Sequence, residues 1–425
     1  MVSTVNLQRL VECREHEETR LHILISQRRK RKLDDMIAEE SSTANSSVTQ
    51  KHPQHPPDKS FLSDIWSKAT QLHAFYTEQS ALEKAFVFLT LNSIINLTFD
   101  YTKIANVSKQ KVNAYKEKNA FADPQLRQVS RRIMKHITKH ATSEAPAIGR
   151  FVDCSIRFFP RATKEELSFY RIYSHFLMIF DNQKESINAW RLLSENDIFR
   201  LFISPVMEII FENSIVRLRS GETTTAASAE VRDVQAKAAG IRSRGAFKVD
   251  LRLVLLNNQI EYDLANCEFS KSGDVQRKVI VDNVQLAVEG KCIIDHLLTT
   301  SRLDEEQAKK IQVVNLQACG LKMRLLALKL DRNGDGYVTQ PIGSIIKLPT
   351  SVDTIPAFFQ DGLPLLQHMK EVAEKNALML QDAFNRDRSS FGSASPPHPT
   401  NIIKKTWLGP SSSNPSIIPP IPHHT

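Results

Sequence analysis

From Ala246 onward the apolar residues change from helical to two-residue spacing. Phe247, Val249, Leu251, Leu253 and Leu255 alternate with Lys248, Asp250 and Arg252, which predicts a strand over 246–256 with one apolar face. Asn257-Asn258 suits the positive φ of a short hairpin turn, so a return strand is expected over 260–271. Val275, Val279, Ile280, Val284, Ala287, Val288, Ile294, Leu297 and Leu298 then recur at helical spacing and predict a long amphipathic helix.

The same reading covers the rest of the chain. Phe61, Ile65, Trp66, Ala69 and Leu72 open a helical region that runs to about residue 201, and the stretch 86–99, FVFLTLNSIINLTF, is expected as one buried helix, interrupted too often to span a membrane. Ser204 as N-cap and Pro205 in the first turn start a helix expected to reach about Arg217. Residues 220–244 are small, polar and basic and are expected as a flexible loop. A short helix at 304–311, strands at 313–318, 321–330 and 337–348, and a closing helix at 363–384 follow. Asp331-Arg332-Asn333-Gly334-Asp335-Gly336 matches the first half of a calcium loop, but Ile342 stands where the bidentate acid belongs, so a hairpin turn is expected.

These elements predict an α+β protein, a helical N-terminal region followed by a mixed sheet flanked by helices. The expected organisation is a basic helix over 1–40, a Ser/Thr/His/Pro linker over 41–60, a helical domain over 61–201 and a sheet domain over 202–385. Residues 386–425 hold eight of the nineteen prolines and read as a disordered tail.

Charge adds a partner to this outline. The net charge is +9, and residues 101–150 carry eleven Lys or Arg against three acids, so that window alone contributes +8. Lys109, Lys111, Arg127, Arg131, Arg132, Lys135 and Lys139 are the candidate nucleic-acid contacts, because clustered cations release counterions from a phosphate backbone. A solubilising helical face is the alternative use of the same residues. Arg28, Arg29, Lys30, Arg31 and Lys32 form a run that resembles a nuclear localisation signal, which makes an import receptor a candidate partner and the nucleus or cytoplasm the expected location. Five widely spaced cysteines without a C-x-x-C pair predict reduced thiols, no disulfide framework and no zinc site, and the N-terminus lacks the apolar core of a secretory signal.

Candidate chemistry centres on the hairpin. Reflecting Asp250 through a turn near Asn258 lands close to Asn266, so Glu268 is expected about one residue pair away, within reach of a shared ion. Two carboxylates and a following amine, Lys271, would make a Mg²⁺ site in which hard oxygens hold the ion and the ammonium orients or helps deprotonate water. Gln276, Lys278 and Gln285 are the polar options that the helix offers nearby, and a merely solvated hairpin face is the plainer reading of the same spacing.

Asp250, Glu268 eighteen residues on, Lys271 and the helix after it together resemble the D-x(n)-E-x-K signature of PD-(D/E)XK nucleases. The run KVDLRLV…EFSK, with the later hairpin ending in KLPTS, is also similar to a large set of proteins from early-diverging fungi, over roughly 202–351. The resemblance implies a restriction-endonuclease-like sheet and Mg²⁺-dependent phosphodiester hydrolysis, with Asp250, Glu268 and Lys271 as catalytic residues. It also implies an acidic residue on the preceding helix facing the metal, which nominates Glu208, or Glu212, as a further ligand. Here Glu268 and Lys271 are three apart where the signature has two, so a bulge near Phe269-Ser270, or departure of Lys271 from the strand end, is required. The alternative is a non-catalytic nucleic-acid-binding or protein-interaction protein that keeps the sheet and has lost the site.

Overall fold

The alternating segments do pair as strands, and they draw in a strand that the periodicity hid. In the computed structural model, which describes residues 61–124, 126–141, 149, 162–182, 193–238, 248–271, 275–301 and 303–389, a seven-stranded mixed sheet forms the centre. Its strands are β1 (Ile94–Asn96), β2 (Val216–Thr224), β3 (Lys248–Asn257), β4 (Ile260–Ser270), β5 (Gln312–Cys319), β6 (Lys322–Leu330) and β7 (Tyr337–Lys347). The spatial order is β1-β7-β6-β5-β4-β3-β2, with β1 parallel to β7, β4 parallel to β5 and every other pair antiparallel.

Among the described residues nine longer helices surround the sheet: α1 (Phe61–His73), α2 (Ala81–Leu91), α3 (Lys109–Asn119), α4 (Arg131–Ala141), α5 (Lys164–Asn182), α6 (Ser204–Phe211), α7 (Ala226–Ala238), α8 (Val275–Thr300) and α9 (Leu363–Ser389). The architecture is therefore α+β, a helical N-terminal region followed by a mixed sheet flanked by helices. The parallel β4–β5 pair needs a crossover, and α8 supplies it. Leu286, Ile293, Ile294, Leu297 and Leu298 of α8 are buried against the sheet. Gly290 lets the helix approach closely, since a Cβ there would meet Asn315 Nδ2 at 3.1 Å. That amide donates to Leu286 O at 2.7 Å and ties β5 to α8. From α9, Asn376 Nδ2 donates to Gln312 O at 2.8 Å.

Three expectations are corrected. The stretch 86–99 is not one helix: α2 ends at Leu91, Ser93 turns the chain at φ 59°, and Ile94–Asn96 becomes β1. The helix from Ser204 stops at Phe211 rather than near Arg217, because Val216 and Leu218 resume two-residue spacing and pair with Leu255 and Leu253 of β3. Residues 220–238 are not a loop. β2 runs to Thr224 through an irregularity at Gly221, where φ is +92°, and Thr225 caps α7 by accepting from Ser228 N at 3.2 Å. Small polar residues hid both elements, although Ala226, Ala227 and Ala229 are good helix formers.

The Asp331–Gly336 hairpin turn is as expected: Asp331 N donates to Gly336 O at 2.9 Å and Asp335 N to Asp331 Oδ1 at 2.8 Å. The basic run at 28–32, the linker, the N-terminal helix and residues 390–425 of the tail lie outside the described residues. Of the cysteines, Cys267 and Cys292 are buried and Cys319 is half-buried, all free, whereas Cys13 and Cys154 lie outside the described residues. No helix among the described residues is long and apolar enough to cross a membrane.

A buried ion pair anchors the middle of α8. Lys291 is fully buried, its Nζ lies 2.8 Å from Asp295 Oδ2 and 5.0 Å from the centre of the Tyr337 ring, and the Tyr337 hydroxyl donates to Asp295 Oδ1. Removing one partner strands the other in the core. Asp295→Ala is expected to cost roughly 3–5 kcal/mol of unfolding free energy. Chemical denaturation checks this, and the paired change Lys291→Met with Asp295→Leu is expected to recover most of the loss.

Candidate active site

The register of the β3–β4 hairpin brings the two acids together. Near the turn the partners are Asn257 with Ile260 and Val254 with Asp263; beyond it they are Leu253 with Ala265 and Leu251 with Cys267. Leu264 is thus an extra residue in β4, a bulge that slides the rest of that strand along. Reflection about Asn258 put Asp250 opposite Asn266; the turn is centred between Asn258 and Gln259, which moves that partner to Cys267, and the bulge moves it one residue further, so Arg252 takes Asn266, Leu251 takes Cys267 and the next step of the ladder sets Asp250 opposite Glu268. Directly opposed residues point to the same face. Asp250 Oδ2 accepts from Phe269 N at 2.7 Å, which fixes its carboxylate against the end of β4.

That face is covered by α8, and its contact with the sheet is polar. Gln285 Nε2 donates to Glu268 Oε1 at 2.8 Å, and Asn266 Nδ2 donates to Glu289 Oε2 at 2.8 Å. Gln317, the β5 neighbour of Glu268, donates through Nε2 to Val279 O at 2.7 Å. Lys278, Asp282, Gln285 and Glu289 recur at intervals of four, three and four, so they form one stripe along α8. Three buried acceptor atoms on or beside this stripe, Asp282 Oδ2, Glu289 Oε1 and Asn266 Oδ1, have no hydrogen-bond partner among the described residues.

Burial and mutual repulsion decide the protonation of these acids. Burial pushes the Glu268 carboxyl up to about 9, and the fields of Asp250, Asp282 and Glu289 add to the effect while Lys278 opposes it. Asp282 is raised to about 6, first by burial, with Lys278 working against it and Glu195 and Asp250 for it. Glu289 is raised to about 8 by burial, against hydrogen bonds from Thr225 and Ser228. The site is a half-dry cluster of carboxyl groups with one ammonium at its margin.

Two expected residues stand elsewhere. β4 ends at Ser270, so Lys271 lies past the strand, exposed, its backbone N donating to Glu195 Oε2 at 3.0 Å. Ser270 occupies the position two beyond Glu268 and is buried with its hydroxyl on Ala318 O at 3.2 Å. The ammonium whose field reaches Glu268 and Asp282 is that of Lys278, which also sits 3.5 Å from Glu195 Oε2. Glu208 is exposed on α6 and accepts from Ser204 Oγ at 2.8 Å, and its field falls on His175. Glu212 pairs with Arg171. Neither is among the carboxylates that act on Glu268.

The cationic candidates divide in two. Lys111 pairs with Asp64 at 2.7 Å, Arg127 with Glu371 at 2.9 Å and Arg132 with Glu166 at 2.5 Å. Arg131, Lys135 and Lys139 share the exposed face of α4 and line a groove beside Phe359 and Gln360, while Lys109 is exposed at the start of α3. Sequence reasoning missed Asp282, Glu195 and Glu289. The signal for two of them was there, since Asp282 and Glu289 stand at helical spacing from Lys278 on the face of α8 that also carries Gln285.

Hard carboxylate oxygens are the donors a divalent cation such as Mg²⁺ takes, and Asp250 with Glu268 supplies them from opposed strands. Among the described residues no three His, Cys, Asp or Glu side chains form a ready-made cage. Mg²⁺ is ordinarily held by one or two carboxylates with water and substrate phosphate, so the pair fits such an ion. The chain matches no protein-family model, no curated protein and no solved structure.

The raised Glu268 carboxyl gives a pH signature. The unfolded chain loses this proton near pH 4.5 and the folded chain near 9, so folding is progressively penalised as pH rises between those values. Glu268→Gln mimics the protonated form and keeps an acceptor for Gln285. The variant is expected to match the parent near pH 4 and to exceed it by several kcal/mol, up to about 5, at pH 8 in denaturant unfolding; equal stability at both pH values contradicts the assignment.

Proposed function

We propose that the chain is a nucleic-acid-acting, Mg²⁺-dependent phosphodiesterase with a PD-(D/E)XK-like site. The observation that carries this reading is the opposition of Asp250 and Glu268 across β3–β4, with Asp282 close enough to raise the cost of ionising them. Carboxyl groups gathered in a poorly solvated interface are costly as anions, and a bound cation relieves that cost. The mixed sheet flanked by helices, with the two acids on neighbouring strands before a crossover helix, agrees with the resemblance drawn from the sequence.

Asp250 and Glu268 would hold the ion, with Asp282 beside them. When bound, the ion supplies Lewis-acid activation of water and neutralises charge on the phosphate. Lys278 takes the role that the signature gives to the strand lysine: its ammonium orients the attacking water and stabilises negative charge as the phosphorus–oxygen bond breaks. Glu195 holds Lys278 and the backbone of Lys271 together, which positions the amine at the strand end. The cations of α4 would contact the strand backbone away from the reacting phosphate.

One observation favours a binding-only protein, namely Ser270 where the signature carries its lysine. The two readings separate in one assay. With labelled DNA and RNA substrates and Mg²⁺ or Mn²⁺, the parent is expected to cleave, and Asp250→Asn to lose at least about 100-fold of the rate. Lys278→Ala is expected to lose about 10²–10³-fold, whereas Lys271→Ala retains most activity. No cleavage by the parent, with binding intact in Asp250→Asn, would establish the binding-only reading.

A further inference from the structure

A groove of about 940 Å³ opens beside the carboxylate pair, between the ends of β5, β6 and β7 and the 352–362 segment. Val279 and Gln317 form the wall nearest the acids, and Gln317 is the direct partner of Glu268 on one side and of Arg324 on the other. Asp250, Glu268, Gln317 and Arg324 therefore make one row across four adjacent strands, with Arg324 two strand spacings, about 10 Å, from Glu268. Arg324, Lys322 and Lys347 all line the groove, all are exposed, and none is ion-paired among the described residues. Asp361 is the one acid in the lining.

The floor between these cations is apolar. Ile345 is 44 % exposed there, and Leu321, Leu348 and Phe358 also line the groove. The cationic rim, three against one, calls for an anionic occupant, and the apolar floor calls for one that also presents flat apolar surface. A phosphate chain with unpaired bases meets both demands, since its bases are free to pack on aliphatic and aromatic side chains while its phosphates reach the rim. A duplex keeps its bases stacked inside and offers only phosphates. The volume lies toward the large end of small-molecule pockets and leaves room for more than one base. On the far side of the 352–362 segment, Phe359 and Gln360 border the groove that Arg131, Lys135 and Lys139 line, so the cationic track continues past this wall.

We infer that this groove seats an unpaired stretch of the substrate next to the reacting phosphate, so that the site acts on single-stranded nucleic acid. The inference rests on the phosphodiesterase reading for its placement and is tested separately from it. The full chain, in EDTA to suppress turnover, is titrated into a fluorescent single-stranded oligonucleotide and into the matching duplex, with anisotropy as the readout at several salt concentrations. The single strand is expected to bind at least tenfold more tightly than the duplex. Arg324→Ala with Lys347→Ala, both surface changes, is expected to weaken single-strand binding at least tenfold and to make the salt slope shallower by about 1.4, two phosphate contacts' worth. Ile345→Ser is expected to weaken single-strand binding with the slope unchanged. Equal affinity for duplex and single strand, or unchanged binding in the Arg324/Lys347 variant, overturns the inference even if Mg²⁺-dependent cleavage is observed. The expected binding pattern without cleavage by the parent would instead retain the groove and remove the hydrolase.

Discussion

Two carboxyl groups facing each other across an antiparallel strand pair, under a helix that shuts out most of the water, set the terms for this part of the molecule. Asp250 and Glu268 cannot both ionise cheaply in that position: burial first, and the field of Asp250 after it, leaves a Glu268 carboxyl that keeps its proton up to about 9. Neighbouring residues divide into those that relieve the repulsion and those that add to it. Phe269 N and Gln285 Nε2 donate to the pair, and Lys278 brings one positive charge. Asp282 and Glu289 add negative charge on the same helix face.

A protein selected only for stability would have little use for this arrangement, because apolar residues at the same positions would pack the crossover helix against the sheet with no charge to bury. The polar contact of α8 with β4 instead keeps three acceptor atoms, Asp282 Oδ2, Glu289 Oε1 and Asn266 Oδ1, without donors among the described residues. Acceptors without donors suit a cation or an added proton better than another protein group. The buried Lys291–Asp295–Tyr337 cluster farther along the same helix differs in kind, since there each charge meets its partner directly and the requirement is structural.

The hairpin, α8, the β5–β7 strands and the closing helix were legible because each carries a dominant period over most of its length, as in Val249-Leu251-Leu253-Leu255. Elements with mixed signals were not. Ile94–Asn96 sits inside an apolar run whose spacing is equally helical, and only its distant pairing with Tyr337–Thr339 makes it a strand. Thr223-Thr224-Thr225 followed by Ala226-Ala227 reads as loop composition, although tertiary pairing and the Thr225 cap turn it into a strand end and a helix start. At the site, the two strand acids were legible as neighbours but the register was off by two residues, one because the turn is centred after Asn258 and one because nothing in the residue types announces a bulge at Leu264. The amine nearest in sequence is not the one nearest in space. Lys271 follows Glu268 closely, yet the strand ends before it, while Lys278 is returned to the acids by the first turn of α8.

Calorimetric titration of Mn²⁺ or Mg²⁺ into the full chain at pH 7, in two buffers of different ionisation enthalpy, tests the convergence of the two acids most directly. A cation that binds the pair must displace the proton held by Glu268, so the account predicts release of about one proton per ion in the parent and none in Glu268→Gln. Binding with no buffer dependence, or no binding at millimolar ion, would contradict it.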